Sequence, residues 1–306
     1  MPARPPILFE ALPPQVESTD EQWQDHLHLL DPLKHAGLAG VNVPEIINGH
    51  YKTVEPRSFA AALQRRLGVR AILNRITVHR TVPAFQAWAS ETRLGHGIHD
   101  LVAVGGEASS QAYPGVGVVE ALQALRPGVA KAGGHVGVIT IPTRRRPDLD
   151  EPQRLLRKQD AGADFAVSQI LCEAAAAARL QQDLATAAPA GRRSLTLFWS
   201  LAPVARKRDL EFLEWLGVDV PPAVRTRLLA EPEAKRVALS HQLNLGIARR
   251  LLEATESGGS GPIGFCVEHV MLSNIEAAID LVDELRSLVK EFRSPQAAAF
   301  ARAVGW

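Results

Sequence analysis

Short apolar runs alternate with longer amphipathic patterns from one end of the chain to the other. Each run is too short for an amphipathic helix and has the length of a buried strand. A helical pattern of apolar and charged positions follows each run. The eight runs cover residues 7–10, 40–43, 71–78, 100–104, 136–141, 165–168, 195–200 and 263–267. Eight consecutive strand–helix steps predict an α/β protein built as a single (β/α)8 TIM barrel.

An open, doubly wound sheet is the competing architecture for strands that alternate with helices. Such a sheet normally carries a glycine-rich phosphate turn after its first strand, and this chain has Pro13-Pro14 at that point. No linker divides the sequence, since the Gly- and Ser-rich residues 257–261 directly precede the eighth run and suit a helix–strand loop. We therefore expect one domain over residues 1–306, with helices at 56–66 and 275–292 in its outer ring.

The balance of charges favours a small molecule as the partner. The chain has 34 Lys and Arg against 33 Asp and Glu, a formal net charge of +1, which gives no bulk attraction to nucleic acid or to an anionic membrane. The arginine runs at 144–146 and 192–193 lack interleaved aromatic residues. We expect neither nucleic acid nor a membrane among the partners.

The two cysteines, Cys172 and Cys266, lie far apart, and neither has His or Cys at metal-ligand spacing. This pattern predicts neither a disulfide scaffold nor a metal site. No apolar signal core follows the N-terminus, and no run approaches the roughly 20 apolar residues that cross a bilayer. We expect a soluble protein of the reducing cytoplasm.

Polar residues at the carboxyl ends of the predicted strands are the first candidates for chemistry, because (β/α)8 enzymes place their active sites there. They are Glu10, Asn42, Glu45, Asn74, Thr77, Glu107, Gln169, Glu268 and His269, with Glu55 farther along the second loop. Glu10 is the strongest candidate, since partial desolvation raises the pKa of a carboxyl and suits a general acid. The structural alternative is a salt-bridged glutamate at the barrel rim.

Two motifs resemble the methylenetetrahydrofolate reductase family. One is Phe9-Glu10 followed by Pro13-Pro14, and the other is Asp-Ala-Gly-Ala at 160–163 before the run that leads to Gln169. The resemblance implies reduction of 5,10-methylenetetrahydrofolate to 5-methyltetrahydrofolate. In that reaction the glutamate matching Glu10 assists opening of the imidazolidine ring to a 5-iminium cation, which hydride then reduces. Gln169 matches a glutamine that contacts the substrate, and its structural alternative is a strand-end residue bonded to local backbone.

The resemblance also implies a set of binding residues. Residues 103–107 resemble the family's Ala-Leu-Arg-Gly-Asp segment, in which Glu107 is the nearest equivalent of the acidic residue. The implied substrate-binding residues are Gln169, Glu107, Glu55, Asn74 and Thr77. The implied cofactor-binding residues are Arg157, Lys158 and Ile141, of which the first two match basic residues that reach toward flavin phosphates. A solvated helix end explains Arg157 and Lys158 equally well, and a solvated loop is the alternative for Glu107.

Departures from the family pattern gather where a flavin would bind. Gly105 stands where the family has arginine, Arg75 stands where it has histidine, and residues 141–145 replace Tyr-Pro-Glu-x-His. We therefore expect a divergent, flavin-independent member of the mycobacterial type, in which NADH or NADPH passes hydride directly to the folate and FAD is absent. Lys207 stands at the position of a stacking phenylalanine. Phe198 or Trp199 could take that role, although both suit the core.

Two further functions stay open from the sequence. The first is a conventional FAD-dependent methylenetetrahydrofolate reductase whose flavin contacts have drifted. The second is a folate-binding or regulatory homologue without catalytic activity. The expected partners are 5,10-methylenetetrahydrofolate and NAD(P)H, and the aromatic end of the chain at Trp306 makes a homo-oligomer a candidate assembly.

Overall fold

The computed structural model describes residues 4–46, 53–106, 113–144, 150–188, 193–256 and 261–292. Within these residues, eight strands close into a barrel in chain order. The strands are β1 (Ile7–Glu10), β2 (Gly40–Val43), β3 (Arg70–Ile76), β4 (Asp100–Val104), β5 (Val136–Thr140), β6 (Phe165–Ser168), β7 (Thr196–Leu201) and β8 (Ile263–Glu268). Neighbours run parallel from β2 through β5 and again from β7 to β8. The predicted (β/α)8 barrel is confirmed.

Helices connect the successive strands. They are α1 (Asp20–Leu29), α2 (Pro56–Leu67), α3 (Val82–His96), α4 (Val118–Lys131), α5 (Glu151–Asp160), α6 (Ala175–Ala187), α7 (Lys207–Trp215), α8 (Pro222–Ala230), α9 (Glu233–Glu256) and α10 (Ile275–Glu291). Gly162 follows α5 with φ +115°, a conformation that a side chain would strain. Its N–H donates to the Gln159 carbonyl at 2.9 Å. Gly162 therefore ends α5 shortly before β6 begins.

The third strand ends two residues earlier than the apolar run predicts. The strand stops at Ile76 rather than at residue 78. The Arg80 N–H donates to the Thr77 carbonyl at 3.0 Å, which makes residues 77–80 a turn. Apolar Val78 is buried in this turn, which is why the run of apolar residues outlasts the strand.

The chain divides into two compact units. The first unit comprises Glu10–Ile139 and Arg154–Ala166, and the second comprises Met1–Phe9, Thr140–Gln153 and Val167–Trp306. Fully buried Phe59, Phe85 and Ile72 belong to the core of the first unit. Trp199 and Phe265 belong to the core of the second. The expectation of one domain over residues 1–306 stays a prediction.

The register of β2, β3 and β4 tells the two faces of the sheet apart. Arg75 on β3 lies over the Trp88 ring of α3, with its guanidinium carbon 4.4 Å from the ring centroid, so its face of the strand is the helix side. Successive side chains alternate between faces, and Asn74 therefore lies on the inner side. Asn74 pairs with Val102 on β4. Ile72, two residues before Asn74, pairs with Asn42 on β2, which puts Asn42 in the same inner row.

The described residues contain ten α-helices. None of those helices is both long enough and apolar enough to span a membrane. Across the described residues, no three or more His, Cys, Asp and Glu side chains gather where they could hold a metal ion.

Candidate functional site

Glu10 ends β1 and is held by the neighbouring strand. The Asn42 side-chain N–H donates to Glu10 Oε2 across 2.6 Å, and the Ala11 N–H donates to the Asn42 carbonyl at 2.9 Å. Asn42 is fully buried, whereas Glu10 is half-buried. A buried amide thus fixes the direction of a partly exposed carboxyl. The sequence identified Asn42 only as a polar strand-end residue and did not indicate this contact.

Asn74 lies in the inner row of β3 and is 7% exposed. Its Oδ1 and the Oδ1 of Asn42 are buried and have no hydrogen-bond partner among the described residues. A buried acceptor without a donor costs about 1–3 kcal/mol. Both amides therefore retain hydrogen-bonding capacity that water or a ligand would satisfy.

The inner rows become exposed toward the carboxyl ends of the strands. Ile72 and Val102 are fully buried, whereas Ile76 and Val104, farther along the same rows, are half-buried. Half-buried Glu10 occupies the corresponding end of β1. We call Glu10, Asn42, Asn74, Ile76 and Val104 the polar rim. In it, half-buried Glu10, Ile76 and Val104 lie at the strand ends, next to the buried amides of Asn42 and Asn74.

Thr77 lies just past the polar rim and is engaged with the loop before α4. Its hydroxyl donates to the Val116 carbonyl at 2.9 Å, and its N–H donates to the Val104 carbonyl at 3.0 Å. The residue is fully buried. These bonds give Thr77 a structural role, and its expected substrate contact stays a prediction.

Arg75, at the position of the family histidine, faces the helices rather than the polar rim. It forms an ion pair with Glu45, whose other oxygen accepts from the Ile76 N–H at 2.7 Å. Burial lowers the pKa of Arg75 to about 10, against the opposing attraction of Glu45. Arg80 adds a second cation 3.5 Å from Glu45. The Glu45 carboxylate therefore ties the chain after β2 to the end of β3.

Glu55 is the N-cap of α2. Its carboxylate accepts from the Arg57 N–H at 3.0 Å and from Arg57 Nε at 2.8 Å, which satisfies one of the free N–H groups of the first turn. This contact explains the residue without a ligand, and its expected substrate contact stays a prediction. Glu107, Arg145, Arg146, Arg192 and Trp306 lie outside the described residues.

Gln169 directly follows β6 in the second unit. Its side-chain amide donates to the Leu216 carbonyl at 3.1 Å, and its backbone N–H donates to the Thr140 carbonyl at 2.9 Å. The side chain therefore anchors the end of α7, a partner 47 positions away, and not the local backbone that the structural alternative from the sequence expected. Its role in substrate binding stays a prediction.

Residues expected at a cofactor make contacts of their own. Lys158 is 7% exposed, and its ammonium donates to the Ile139 carbonyl at 2.6 Å, so it is not part of a solvated helix end. Arg157 is exposed. The Ile141 N–H donates to Glu151 Oε1 at 3.2 Å. Cofactor binding by these residues stays a prediction.

None of the three positions near β7 named in the sequence analysis offers an aromatic ring for stacking. Phe198 and Trp199 are fully buried, so neither presents a ring to a ligand. The Lys207 side chain is 64% exposed and pairs with Glu211 at 3.3 Å. In the first unit, however, half-buried Tyr113 packs edge-on against His79, with ring centroids 5.6 Å apart. No motif in the sequence identified this aromatic pair.

The strand ends of the second unit differ from the polar rim because apolar side chains cover them. A cluster that we call the apolar cap joins residues after β6, β7 and β8 to α7 and α8. Its members are Ile170, Ala202, Val204, Leu210, Leu213, Val218, Leu228 and Val270. Two side chains of α9 fix the chain after β7: Asn244 donates to the Ala202 carbonyl at 2.9 Å, and Ser240 Oγ accepts from the Val204 N–H at 2.8 Å.

Comparison with known proteins identifies the fold and no family. No protein-family model matches the sequence, and no curated protein matches it. A solved structure of an uncharacterized protein from Clostridium thermocellum, which binds two copies of 5-methyl-5,6,7,8-tetrahydrofolic acid, is similar to this chain. The TM-score is 0.77 at 21% identity, over 93% of this chain and 95% of that one.

Two further barrels are more distant. Tryptophan synthase from Mycobacterium tuberculosis gives a TM-score of 0.51 at 10% identity, over 95% of this chain and 93% of that one. Dihydropteroate synthase from Xanthomonas albilineans, solved with 4-aminobenzoic acid, gives 0.47 at 14% identity, over 93% of each chain. At such low identities, structural similarity supports the barrel alone.

Proposed function

We propose that this protein reduces 5,10-methylenetetrahydrofolate to 5-methyltetrahydrofolate by direct hydride transfer from NADH or NADPH, without a flavin. The observation that carries the proposal is the half-buried Glu10 carboxyl at the end of β1, held by the buried Asn42 amide at 2.6 Å. Its Phe-Glu and Pro-Pro motif resembles the reductase family. The similar Clostridium thermocellum barrel binds the product of the proposed reaction, which supports a folate ligand.

Glu10 would act as the general acid. A protonated Glu10 donates its proton to a nitrogen of the imidazolidine ring, the bond between that nitrogen and the methylene carbon breaks, and a 5-iminium cation forms. Hydride from C4 of the nicotinamide then adds to the methylene carbon. The products are 5-methyltetrahydrofolate and the oxidised nicotinamide, so one proton and one hydride are consumed in each turnover.

The Asn42 amide suits both protonation states of Glu10. As an N–H donor it stabilises the carboxylate that remains after proton transfer. Rotation of the amide by half a turn exchanges its oxygen and nitrogen, so that Oδ1 would accept a hydrogen bond from the protonated acid. Asn42 would thus keep the carboxyl in one place while its charge changes.

The direct route is supported by what stands at the flavin-contact positions of the family. Gly105 provides no guanidinium. Arg75 is directed to the helix side, where Glu45 and Trp88 hold it. With neither position presenting a cation to a flavin, the proposed reaction would bring nicotinamide and folate into direct contact, and proximity would be the main catalytic effect.

The test is anaerobic oxidation of NADH or NADPH by protein stripped of flavin, with and without 5,10-methylenetetrahydrofolate. We expect oxidation that depends on the folate, together with equimolar 5-methyltetrahydrofolate. Turnover that begins only when FAD is added would identify a conventional reductase instead.

A second candidate is a folate-binding protein without reductase activity. The favouring observation is the similar barrel that binds two copies of 5-methyl-5,6,7,8-tetrahydrofolic acid. Calorimetric titration with 5-methyltetrahydrofolate separates the two candidates. Tight binding combined with no turnover, with or without FAD, would establish the second.

A further inference from the structure

The Tyr113 ring occupies the space that a side chain at position 106 would need. A Cβ built on Gly106 would lie 2.3 Å from Tyr113 Cε2, 2.4 Å from Cζ and 2.8 Å from the hydroxyl oxygen. No real Cβ makes such contacts, so the ring packs directly on the Gly106 backbone. The outer end of the ring, including the hydroxyl, is the part that lies there.

This position lies two residues past Val104, the last residue of β4. Val102 pairs with Asn74, and Val104 follows Val102 in the inner row at the two-residue spacing that keeps strand side chains on one face. Val104 is already half-buried rather than buried. The Tyr113 ring therefore packs two residues past a member of the polar rim.

The chain around Tyr113 is held by backbone contacts. The Gly115 N–H donates to the Val78 carbonyl at 2.7 Å, and the Val116 N–H donates to the Arg80 carbonyl at 3.0 Å. A Cβ at Gly115 would be 2.4 Å from the Arg80 backbone nitrogen, so this approach requires glycine. Two glycines thus determine the position of the ring. Gly115 allows the chain after Tyr113 to approach the Val78–Arg80 backbone, and Gly106 leaves the space that the ring occupies.

We propose that Tyr113 is a ligand-contact residue whose ring forms one wall of the site at the polar rim and stacks against a flat nitrogen heterocycle. The inference rests on the proposed function, which supplies two such rings, the pterin of the folate and the nicotinamide. Tyr113 is half-buried as a residue, and its ring is a flat surface of the kind expected from the absent family phenylalanine. Stacking of a flat heterocycle on an aromatic side chain stabilises the bound state.

Two adjacent glycines provide a matched pair of variants. Gly106→Ala forces the Tyr113 ring off its position, whereas among the described residues a Cβ at Gly105 meets only Val118 Cγ2, at an ordinary 3.4 Å. Neither glycine has a φ in the left-handed region, so each substitution tests space rather than backbone strain. Thermal melting of each variant confirms that the barrel is folded.

The experiment titrates the full chain with 5-methyltetrahydrofolate and, separately, with NADH. We expect Tyr113→Ala to raise the Kd of one ligand about tenfold, equivalent to about 1.4 kcal/mol, and Tyr113→Phe to bind nearly as wild type does. Gly106→Ala should reproduce most of the loss, Gly105→Ala should not, and Gly106→Ala should add nothing in the Tyr113→Ala background. The ligand that weakens identifies the ring that stacks.

Unchanged Kd values for both ligands in folded Tyr113→Ala would overturn the inference, as would wild-type protein that binds neither ligand. The proposed function fails separately, through absent turnover, because a folate-binding protein without activity would still show the Tyr113 dependence. If Gly105→Ala weakened ligand binding as much as Gly106→Ala does, the inference would also be contradicted, because the loss of affinity would not depend on the Tyr113 ring.

Discussion

The strand ends of the two units differ in the side chains that surround them. In the polar rim of the first unit, Asn42 and Asn74 keep buried amide oxygens without partners among the described residues, and Glu10 is half-buried. At the strand ends of the second unit, apolar residues close over the chain, and Gln169 bonds the Leu216 carbonyl. In the polar rim, two amide oxygens retain hydrogen-bonding capacity, one of them on the residue that holds the Glu10 carboxyl. In the second unit, Ser200 Oγ and Asp209 Oδ1 are also buried without a described partner, but the amide of Gln169 is used to hold a helix end.

Under the proposed function, the contrast separates residues expected to act on a ligand from residues that build the scaffold. Unsatisfied buried polar groups are uncommon in native proteins, and each one needs an explanation such as a ligand or an ordered water. A satisfied amide between a strand end and a helix end is explained by structure alone. Substitutions in the polar rim should therefore change activity more than stability, and substitutions at the apolar cap the reverse.

The largest expected effect is the loss of turnover in Glu10→Gln. The amide preserves the shape of the side chain and its contact with Asn42 but has no proton to transfer, so the folate-dependent rate should fall about 10²–10⁴-fold. Denaturant unfolding should show little change in stability. A Glu10→Gln protein with wild-type turnover would remove the acid from the mechanism and leave the polar rim without a chemical role.

The next effect is on stability, in Leu210→Ala. Leu210 is fully buried in the apolar cap, and removing its side chain should lower the free energy of unfolding by about 2–5 kcal/mol. Leu94→Ala is the control, because Leu94 is 78% exposed and its loss should change stability by no more than about 0.5 kcal/mol. Equal effects of the two substitutions would show that the cap is not a packed core.

Gln169→Ala should have a smaller effect on stability. Loss of the bond to Leu216 should lower the free energy of unfolding by about 0.5–1.5 kcal/mol, measured by denaturant titration. Gln169→Glu keeps the size but loses the donor, so it should be at least as destabilising. If both variants keep wild-type stability while the Kd for 5-methyltetrahydrofolate rises, Gln169 belongs with the ligand-binding residues rather than with the scaffold.

The smallest effect is a pH dependence of stability from His26. Burial lowers the pKa of His26 below its ordinary 6.5, so as pH falls below 6.5 the unfolded chain binds a proton that the folded chain does not. The free energy of unfolding should therefore decrease as pH falls toward the folded-state pKa. His26→Gln should flatten this slope, and His28→Gln on the exposed side of the same helix should not. Identical slopes in the two variants would contradict the assignment.

For four strands, the apolar pattern of the sequence predicted the same first and last residues that the structure has. The runs at 7–10, 40–43, 100–104 and 165–168 coincide with β1, β2, β4 and β6. It predicted β3 less well because the turn after Ile76 buries Val78, and burial in a turn has the same apolar pattern as burial in a strand.

Contacts between distant residues could not be predicted from the pattern. Asn42 is 32 positions from Glu10, and only the register of two strands brings them together. The Tyr113 ring packs on Gly106, a contact that the local sequence pattern does not predict. Lys158 has the composition of a solvated helix end, yet the packing of α5 places its ammonium on the Ile139 carbonyl. Motifs located the strand ends, whereas the partners of each side chain depend on tertiary packing.

Direct hydride transfer is tested most directly by isotope transfer from NADH or NADPH that carries deuterium at both C4 positions, in ordinary water, with flavin-stripped protein and 5,10-methylenetetrahydrofolate. We predict that the deuterium appears in the methyl group of 5-methyltetrahydrofolate, as measured by mass spectrometry, without dilution by solvent hydrogen. Product whose new methyl hydrogen comes from water would contradict the account, because the hydride would then have passed through an exchangeable carrier.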